Sequence, residues 1–484
     1  MSASPPRLTG RAQARVLMLA AAMLAGCASA PLPRPSAPEL PAAFRGATAA
    51  GPSLASRDWR VVFTDSAQQA LIEAALAGNL DLQTAQARMR EAQAALTAAR
   101  SGLLPTAALG LNTSPTARRP GESLSSSFLV GGFLSWEIDL WGRLGYAVEA
   151  SRGELAAREA ARDGVRVSLV AETASRYHEM VALRAVLAST ESSARLQTDS
   201  LRLIRRRNQA GIVSAAEVRQ AEGQLASTEA RLPELRRQIA ATEHALSFLT
   251  GRAPGEVAAP MPPAPAVSQP APLPLAAAGP DSAAALPAGL PSELIERRPD
   301  LREAEQRLVS AQARVAEAKA MLLPSLSLTG AFGRIGFALE SLLLNSGGAA
   351  VASLGPNASH TLYAGGALEA NRDAALARLD QALIAYRRAA LNALREVADA
   401  LKAHEESATQ LERQRARVVA QREALRLADL RFGAGVVSFL EVLDAQRQLL
   451  AAEADFVNTR LARQLAHVQV YRALGGGWTS PSGG

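Results

Sequence analysis

Residues 431–449 read "RFGAGVVSFLEVLDAQRQL", and residues 206–225 read "RRNQAGIVSAAEVRQAEGQL". Setting Gly211 on Gly435 brings Val213 onto Val437, Ser214 onto Ser438, Glu217 onto Glu441, Val218 onto Val442 and Leu225 onto Leu449. A second pair agrees: "DLQTAQARMREAQAALTAARSGLLP" from Asp81 runs beside "DLREAEQRLVSAQARVAEAKAMLLP" from Asp300, with Pro105 on Pro324. The tip phrases lie 224 residues apart. That is far beyond the ~20–50 residues of a solenoid repeat, so the chain is two copies of one structural half.

Each phrase closes a long helix. Between Gly366 and Phe432 there is neither Gly nor Pro, and the helical spacing of apolar residues predicts one rod of ~100 Å at 1.5 Å per residue. Its stripe is Leu376, Leu379, Leu383, Tyr386, Ala390, Leu394, Val397 and Leu401. The steps depart from a strict heptad toward an eleven-residue repeat, which relaxes supercoiling and predicts nearly straight, parallel packing. The first half has a counterpart from about Tyr146 to Ala210, interrupted by Gly153 and Gly164; each Gly costs ~1 kcal/mol in a helix without forbidding it. Past the rods, Gly211, and Gly433 with Gly435, permit a turn, and Ser214 and Ser438 stand where a helix cap belongs. Gly211, Val213, Ser214, Gly435, Val437 and Ser438 are therefore the expected tips of two helical hairpins.

At the other end of each half the period shifts toward two. After "SGLLP", Ala107, Leu109 and Leu111 alternate with Ala108, Gly110 and Asn112; beyond the polar "RRPGES", Phe128, Val130, Leu134, Trp136 and Ile138 share a side. In the second half Leu326, Leu328 and Phe332 oppose Ser325, Ser327 and Thr329, and a weaker return strand containing Pro356 falls within "GGAAVASLGPNASHTLYAGG". Hairpins are expected at about 103–141 and 322–363. Strands of ~9–11 residues with one apolar face are the pattern of a transmembrane barrel. Four cannot close one, so either chains share a barrel or the strands form a soluble sheet. Trp136 and Trp141 read equally as membrane-interface anchors or as packing near the barrel mouth.

Composition narrows the function classes. Aromatics are only 4% against 48% hydrophobic residues, a long-helix rather than mixed-core composition. The net charge of +7 comes from Arg interleaved with Glu, as in "REALRLADLR", without the aromatic-laced basic patch of a nucleic-acid binder. One cysteine rules out an intrachain disulfide, and five scattered histidines have no metal-ligand spacing. No Ser/His/Asp arrangement or phosphate loop suggests an enzyme. The lone Cys27 ends "LAGC" after Arg7, Arg11, Arg15 and a short apolar run. This reads as a lipoprotein signal with lipidation at Cys27, against an ordinary signal cut after "ASA". No Asp follows the cysteine, which favours the outer membrane.

These features together resemble the outer-membrane efflux channels of the TolC and OprM type, in the lipoprotein branch called NodT-like. The resemblance rests on "LAGC", "SWEIDLWGR" from Ser135, "GLPSELIERRPDLREAE" from Gly289, "NALREVADAL" from Asn392, the Arg431 phrase and "YRALGGGW" from Tyr471. It implies a mainly α protein with transmembrane β, a duplicated β-β-α-hairpin unit. Three chains would share a 12-stranded β-barrel continued by a 12-helix periplasmic α-barrel. It also implies a passive duct without catalysis or cofactor, apart from the lipid on Cys27. The implied partners are a periplasmic adaptor of the membrane fusion class, an inner-membrane RND-type pump and two further copies of the chain, in the outer membrane. By motif position, the periplasmic gate falls on Leu440 and Asp444; Gln220 stands at the Asp444 position in the first copy.

The expected division is a signal peptide at 1–26, an extended segment at 27–65, a first repeat at 66–251, a Pro/Ala-rich connector at 252–291, a second repeat at 292–475 and a tail at 476–484. The competing reading is a lipid-anchored periplasmic coiled-coil adaptor or scaffold. It has no use for duplicated strand pairs.

Overall fold

The computed structural model describes residues 58–116, 125–254, 297–337 and 349–476. Cys27, the leader and most of the Pro/Ala connector lie outside the described residues. The described elements are α1 (Trp59–Val62), α2 (Ser66–Gly78), α3 (Leu80–Ser101), β1 (Thr106–Thr116), β2 (Ser125–Ile138), α4 (Arg143–Gln209), α5 (Ala215–Glu229), α6 (Arg231–Leu249), α7 (Pro299–Ala320), β3 (Ser325–Gly336), β4 (Ala349–Ser359), α8 (Ala367–Gly433) and α9 (Phe439–Ala473).

The duplication is literal in the backbone. α4 and α8 each have 67 residues, and the step from 143 to 367, like that from 209 to 433, is 224 positions. Both start after a left-handed glycine, Gly142 at φ +74° and Gly366 at φ +84°. The "SWEIDLWGR" stretch builds the first of these starts. Asp139 accepts from the amides of Leu144 and Gly145 at 3.1 and 2.7 Å, and Glu137 holds Arg143 through two bonds of 3.0 and 2.6 Å. A carboxylate on the first free amides satisfies orphan donors and complements the helix dipole. Trp136 and Trp141, both half-buried, donate to the carbonyls of Leu103 at 3.0 Å and Pro324 at 2.6 Å. They thus tie the sheet to the chain leaving α3 and α7.

Gly153 and Gly164 do not interrupt α4. A Cβ at Gly153 would press on the Gln306 carbonyl and the Ser310 amide at 3.0 Å, and one at Gly164 would touch Pro299 at 3.6 Å. They are notches that let α7 approach, the close-packing use of glycine.

A second symmetry joins helices end to end. Asn79 caps α3 through Leu82 N and donates to the Leu249 carbonyl at 3.1 Å, where α6 ends. In the second half Arg298, the residue before α7, donates to the Ala473 carbonyl at 2.6 Å, where α9 ends. Leu249 and Ala473 are again 224 positions apart. Gly251 and Gly475, at φ +70° and +94°, close α6 and α9. A Cβ on Gly78 would run into the Thr250 carbonyl, and one on Gly251 into the Gly78 carbonyl. The end of each returning helix, α6 or α9, is thus joined to the start of the earlier short helix of its own half, α3 or α7.

The core is a series of small layers along the rods. Trp59 and Phe63 are buried against Ile72, Val170, Ala174 and Tyr471. The end of the segment expected to be extended is therefore a helical turn, because its two aromatics have an apolar site to fill. Further along, Val397 and Leu401 meet Val470 and Leu474, and Leu411 and Val418 meet Phe456. Of the expected α8 stripe, Tyr386, Ala390, Val397 and Leu401 are buried, whereas Leu376 is exposed.

The four strands form one antiparallel sheet in the order β1-β2-β3-β4. Register places Leu109 beside Gly132 and Phe332, and Ala107 beside Leu134, Gly330 and Leu354. The apolar sets read from sequence therefore share one face; Leu109 is 92% and Phe332 75% exposed. Thr106, Ser135, Thr329, Ser327 and Asn357 occupy the other. The weak return strand forms: Pro356 pairs with Leu328 in β4, the last strand of the single chain's sheet.

Candidate functional site

The two hairpin tips are built alike up to their caps. Gly211 and Gly435 have φ of +72° and +74°, with nothing within 4 Å of an added Cβ, so the demand for glycine is torsional. Ile212 N reaches Arg207 O and Val436 N reaches Arg431 O, both at 2.9 Å, closing each rod with a Schellman-type turn. Val213 and Val437 pack on one cluster with Leu201, Ile204, Phe432, Phe439, Val442 and Leu443. The tips therefore share a core, which sequence could not show.

They diverge at the serines. Ser214 forms a capping box, accepting from Glu217 N while the Glu217 carboxylate accepts from Ser214 N at 2.8 Å. Ser438, expected to cap in the same way, makes no side-chain cap bond. The corresponding acid, Glu441, is instead held by Arg431 at 2.7 Å. The Glu441 side chain is thus directed across the turn to Arg431 and makes no capping-box bond to Ser438.

Leu440 and Asp444 lie on the exposed face of α9. Leu440 is 53% exposed, and Asp444 pairs with Arg447 at 2.6 Å, both side chains over half exposed. The structure brings these three onto one helix face and turns Phe439 the other way, 2% exposed and 5.3 Å from the Phe432 ring. Of this adjacent pair, only Leu440 therefore presents its bulk on the free face of the second tip. At the same positions the first tip exposes Ala216 and Gln220. Arg207, from the first rod, stacks over Phe432 of the second at 4.7 Å. This cross-tie left no sequence trace, whereas the i,i+3 spacing of Asp444 and Arg447 was visible. Ile212 and Val436, 69% and 67% exposed, are the outermost apolar residues of the two turns.

Away from the tips, α4, α8 and α9 bring together His178, His404 and His467. The His404 and His467 rings are 6.0 Å apart, and His178 Nε2 lies 3.2 Å from Gln68 Nε2. Burial holds both His178 and His404 down to about 4; the charge of Arg463 adds to this at His404, and His467 and Arg460 add to it at His178. Among the described residues no group of His, Cys, Asp and Glu is arranged to hold a metal, and no helix is long and apolar enough to cross a membrane.

The family model for "Outer membrane efflux protein" matches residues 71–252 and 290–476, one block per repeat. The antibiotic efflux pump outer membrane protein ArpC of Pseudomonas putida is 31% identical, with 96% of each chain covered. The pyoverdine export outer membrane protein OpmQ of Pseudomonas aeruginosa is 34% identical, with 96% of this chain and 97% of that one covered. Among solved structures, the open state of the Neisseria gonorrhoeae MtrE outer membrane channel superposes with a TM-score of 0.78 at 29% identity, over 92% of this chain and 98% of that one. With two matched blocks spanning most of its length and relatives aligned nearly end to end, the chain belongs to the outer membrane efflux protein family.

Proposed function

We propose that three copies of this outer-membrane efflux component close a single 12-stranded barrel, continued by twelve helices into the periplasm. The observation that carries this is the four-stranded sheet, which has an apolar face and two open edges, β1 and β4. Unpaired strand edges in a bilayer each cost several kcal/mol per unsatisfied group, so the edges must be paired by other copies. Two copies would give roughly eight strands, whose interior is filled by its own side chains; three leave a lumen. The exposed stripe Leu376, Ile384 and Leu391 on α8 supports lateral contact between copies.

In this reading the residues 66–251 and 292–475 are the two halves, the Ser- and Thr-rich sheet face lines the lumen, and Cys27 carries the lipid anchor. Conduction is passive, without catalysis or cofactor. An inner-membrane pump of the RND type supplies energy, and a periplasmic adaptor meets the tips at Ile212 and Val436. Leu440 and Asp444 of the second tip form the gate, while the first tip braces it through Arg207 on Phe432. Chemical crosslinking in detergent, combined with planar-bilayer recording, tests the assembly. A crosslinked series ending at the trimer, with ion-conducting channels, is expected; a water-soluble monomer without conductance overturns it.

A further inference from the structure

Three histidines from three rods meet in one layer between the two halves. His404 of α8 and His467 of α9 have ring centroids 6.0 Å apart, and His467 acts in turn on His178 of α4. His404 is buried, the other two partly so. Each stands about 30 residues from the tip end of its helix, ~45 Å at 1.5 Å per residue. Duplication did not produce this layer. His404 and His467 have Met180 and Glu243 at their counterpart positions; Met180 is buried on Leu71, Tyr177 and Leu246, and Glu243 is held by Arg184 at 3.0 Å. On one side of the layer α4 and α9 are joined by apolar packing of Val170, Ala174, Val468 and Tyr471, and at the tips by Leu201, Ile204, Val442 and Leu443. Between these clusters the two helices also meet through polar groups, as where Ser189 donates to Glu453 at 2.6 Å.

We propose that His178, His404 and His467 form an acid-responsive seam: protonation parts α9 from α4 and α8 at this level and eases the opening of the tips. The effect on conduction rests on reading the rods as the wall of a duct. The charges around the layer favour this outcome. α9 supplies Arg460 and the buried Arg463, and the groups acting on His404 are Arg463 and His467, all cationic in acid. α2 supplies Gln68, 3.2 Å from His178, and Asp65, whose carboxylate accepts from the Tyr177 hydroxyl at 2.6 Å. Charged neighbours along the histidines' own helices pair among themselves, Arg176 with Glu172 and Glu179 on α4, and Lys402 with Glu405 and Glu406 on α8. Asp65 alone is thus set against up to three added positive charges. Neutral rings pack in such a layer; imidazolium ions repel one another and the arginines, and gain water when the helices part. Burial holds His178 and His404 down to about 4, below the ordinary value of about 6.5, so the closed seam is fully stable above about pH 6.5 and loosens as pH falls toward about 4.

Hydrogen exchange of the full chain in detergent, read by mass spectrometry and corrected for intrinsic rates, tests the seam directly. Between about pH 7.5 and about pH 4.5, peptides around His178, His404 and His467 should exchange roughly 10-fold faster or more, while the Leu411, Val418 and Phe456 layer within the α8–α9 hairpin changes little. His178→Gln, His404→Gln and His467→Gln together should remove the acceleration, and the single changes should each remove part of it, which keeps the test open if the triple variant does not fold. His404→Lys places a fixed charge in the layer and should loosen the same peptides already at about pH 7.5. An unchanged acid response in the Gln variants assigns the effect to carboxylates and overturns the proposal, as does wild-type exchange in His404→Lys. Planar-bilayer recording with acid on the tip side supplies the second readout. Conductance should rise in the wild type and not in the triple variant; exchange that responds without conductance overturns the link to the tips. A chain that conducts at no pH defeats the duct reading instead, and exchange still decides the seam.

Discussion

Alanine at Gly435 and at Gly433, two residues apart, should push the second tip in opposite directions. Gly435 sits at φ +74° with no atom within 4 Å of an added Cβ, so its substitution is opposed only by the torsional cost of left-handed backbone, about 1–2 kcal/mol. Gly433 is the last residue of α8, is not left-handed and has equally open surroundings. There alanine gains helix propensity, about 0.5–1 kcal/mol. Hydrogen exchange read by mass spectrometry reports both. The sensitive amides are Gly435, bonded to Phe432 O at 3.1 Å, and Val436, bonded to Arg431 O at 2.9 Å. Gly435→Ala should speed their exchange roughly 5–30-fold, and Gly433→Ala should slow it about 2–5-fold. Gly211→Ala should loosen the first tip as Gly435→Ala does the second. If Gly433→Ala speeds exchange as much as Gly435→Ala, steric packing rather than backbone torsion governs the turn, and the reasoning fails.

Combining Leu440→Ala with Asp444→Ala should raise single-channel conductance and admit bulky antibiotics such as vancomycin, while changes at Ala216 and Gln220 do much less; equal leak from both sets refutes an asymmetric gate. Cys27→Ser should abolish the acylated N-terminal peptide in mass spectrometry of the mature protein, and an unmodified wild-type N-terminus after Ala30 would contradict lipidation. Because His178 and His404 have folded values of about 4, below the usual 6.5, the unfolded chain takes up protons first as pH falls. Stability is then full above about pH 6.5, declines toward about pH 4 by on the order of 1 kcal/mol per pH unit per histidine, and is flat below. Thermal melts should show that slope, and His404→Gln should make it shallower. Arg298→Ala, which removes bonds to Asp300, Glu396 and the Ala473 carbonyl, should cost about 2–3 kcal/mol in denaturant melts. Asn79→Ala at the matching joint should cost about 1 kcal/mol.

Local rules made the frame legible. A helix excludes Gly and Pro over long runs, a hairpin tip needs a left-handed glycine, and a half-buried strand alternates. The duplicated tip phrases, the rod of α8 and the apolar sets Leu109/Leu111 and Leu326/Leu328/Phe332 could therefore be read directly from the residues. The same rules located Leu440 and Asp444 only through resemblance, because an exposed Leu and Asp on a helix are chemically ordinary.

Tertiary structure decided whatever depends on how one helix is phased against another. Phe439 and Leu440 are adjacent and equally apolar, yet Phe439 is buried on Phe432 and Leu440 is free, because the contact runs between α8 and α9. Glu217 and Glu441 occupy equivalent positions, but only Glu217 bonds back to its serine, whereas Glu441 pairs with Arg431 across the turn. Gly153 reads as a flaw in α4 until Gln306 and Ser310 are seen against it. Sequence determined the elements and their repetition, since those follow from neighbours within about four residues. The pairing of residues a hundred or more positions apart followed only from packing.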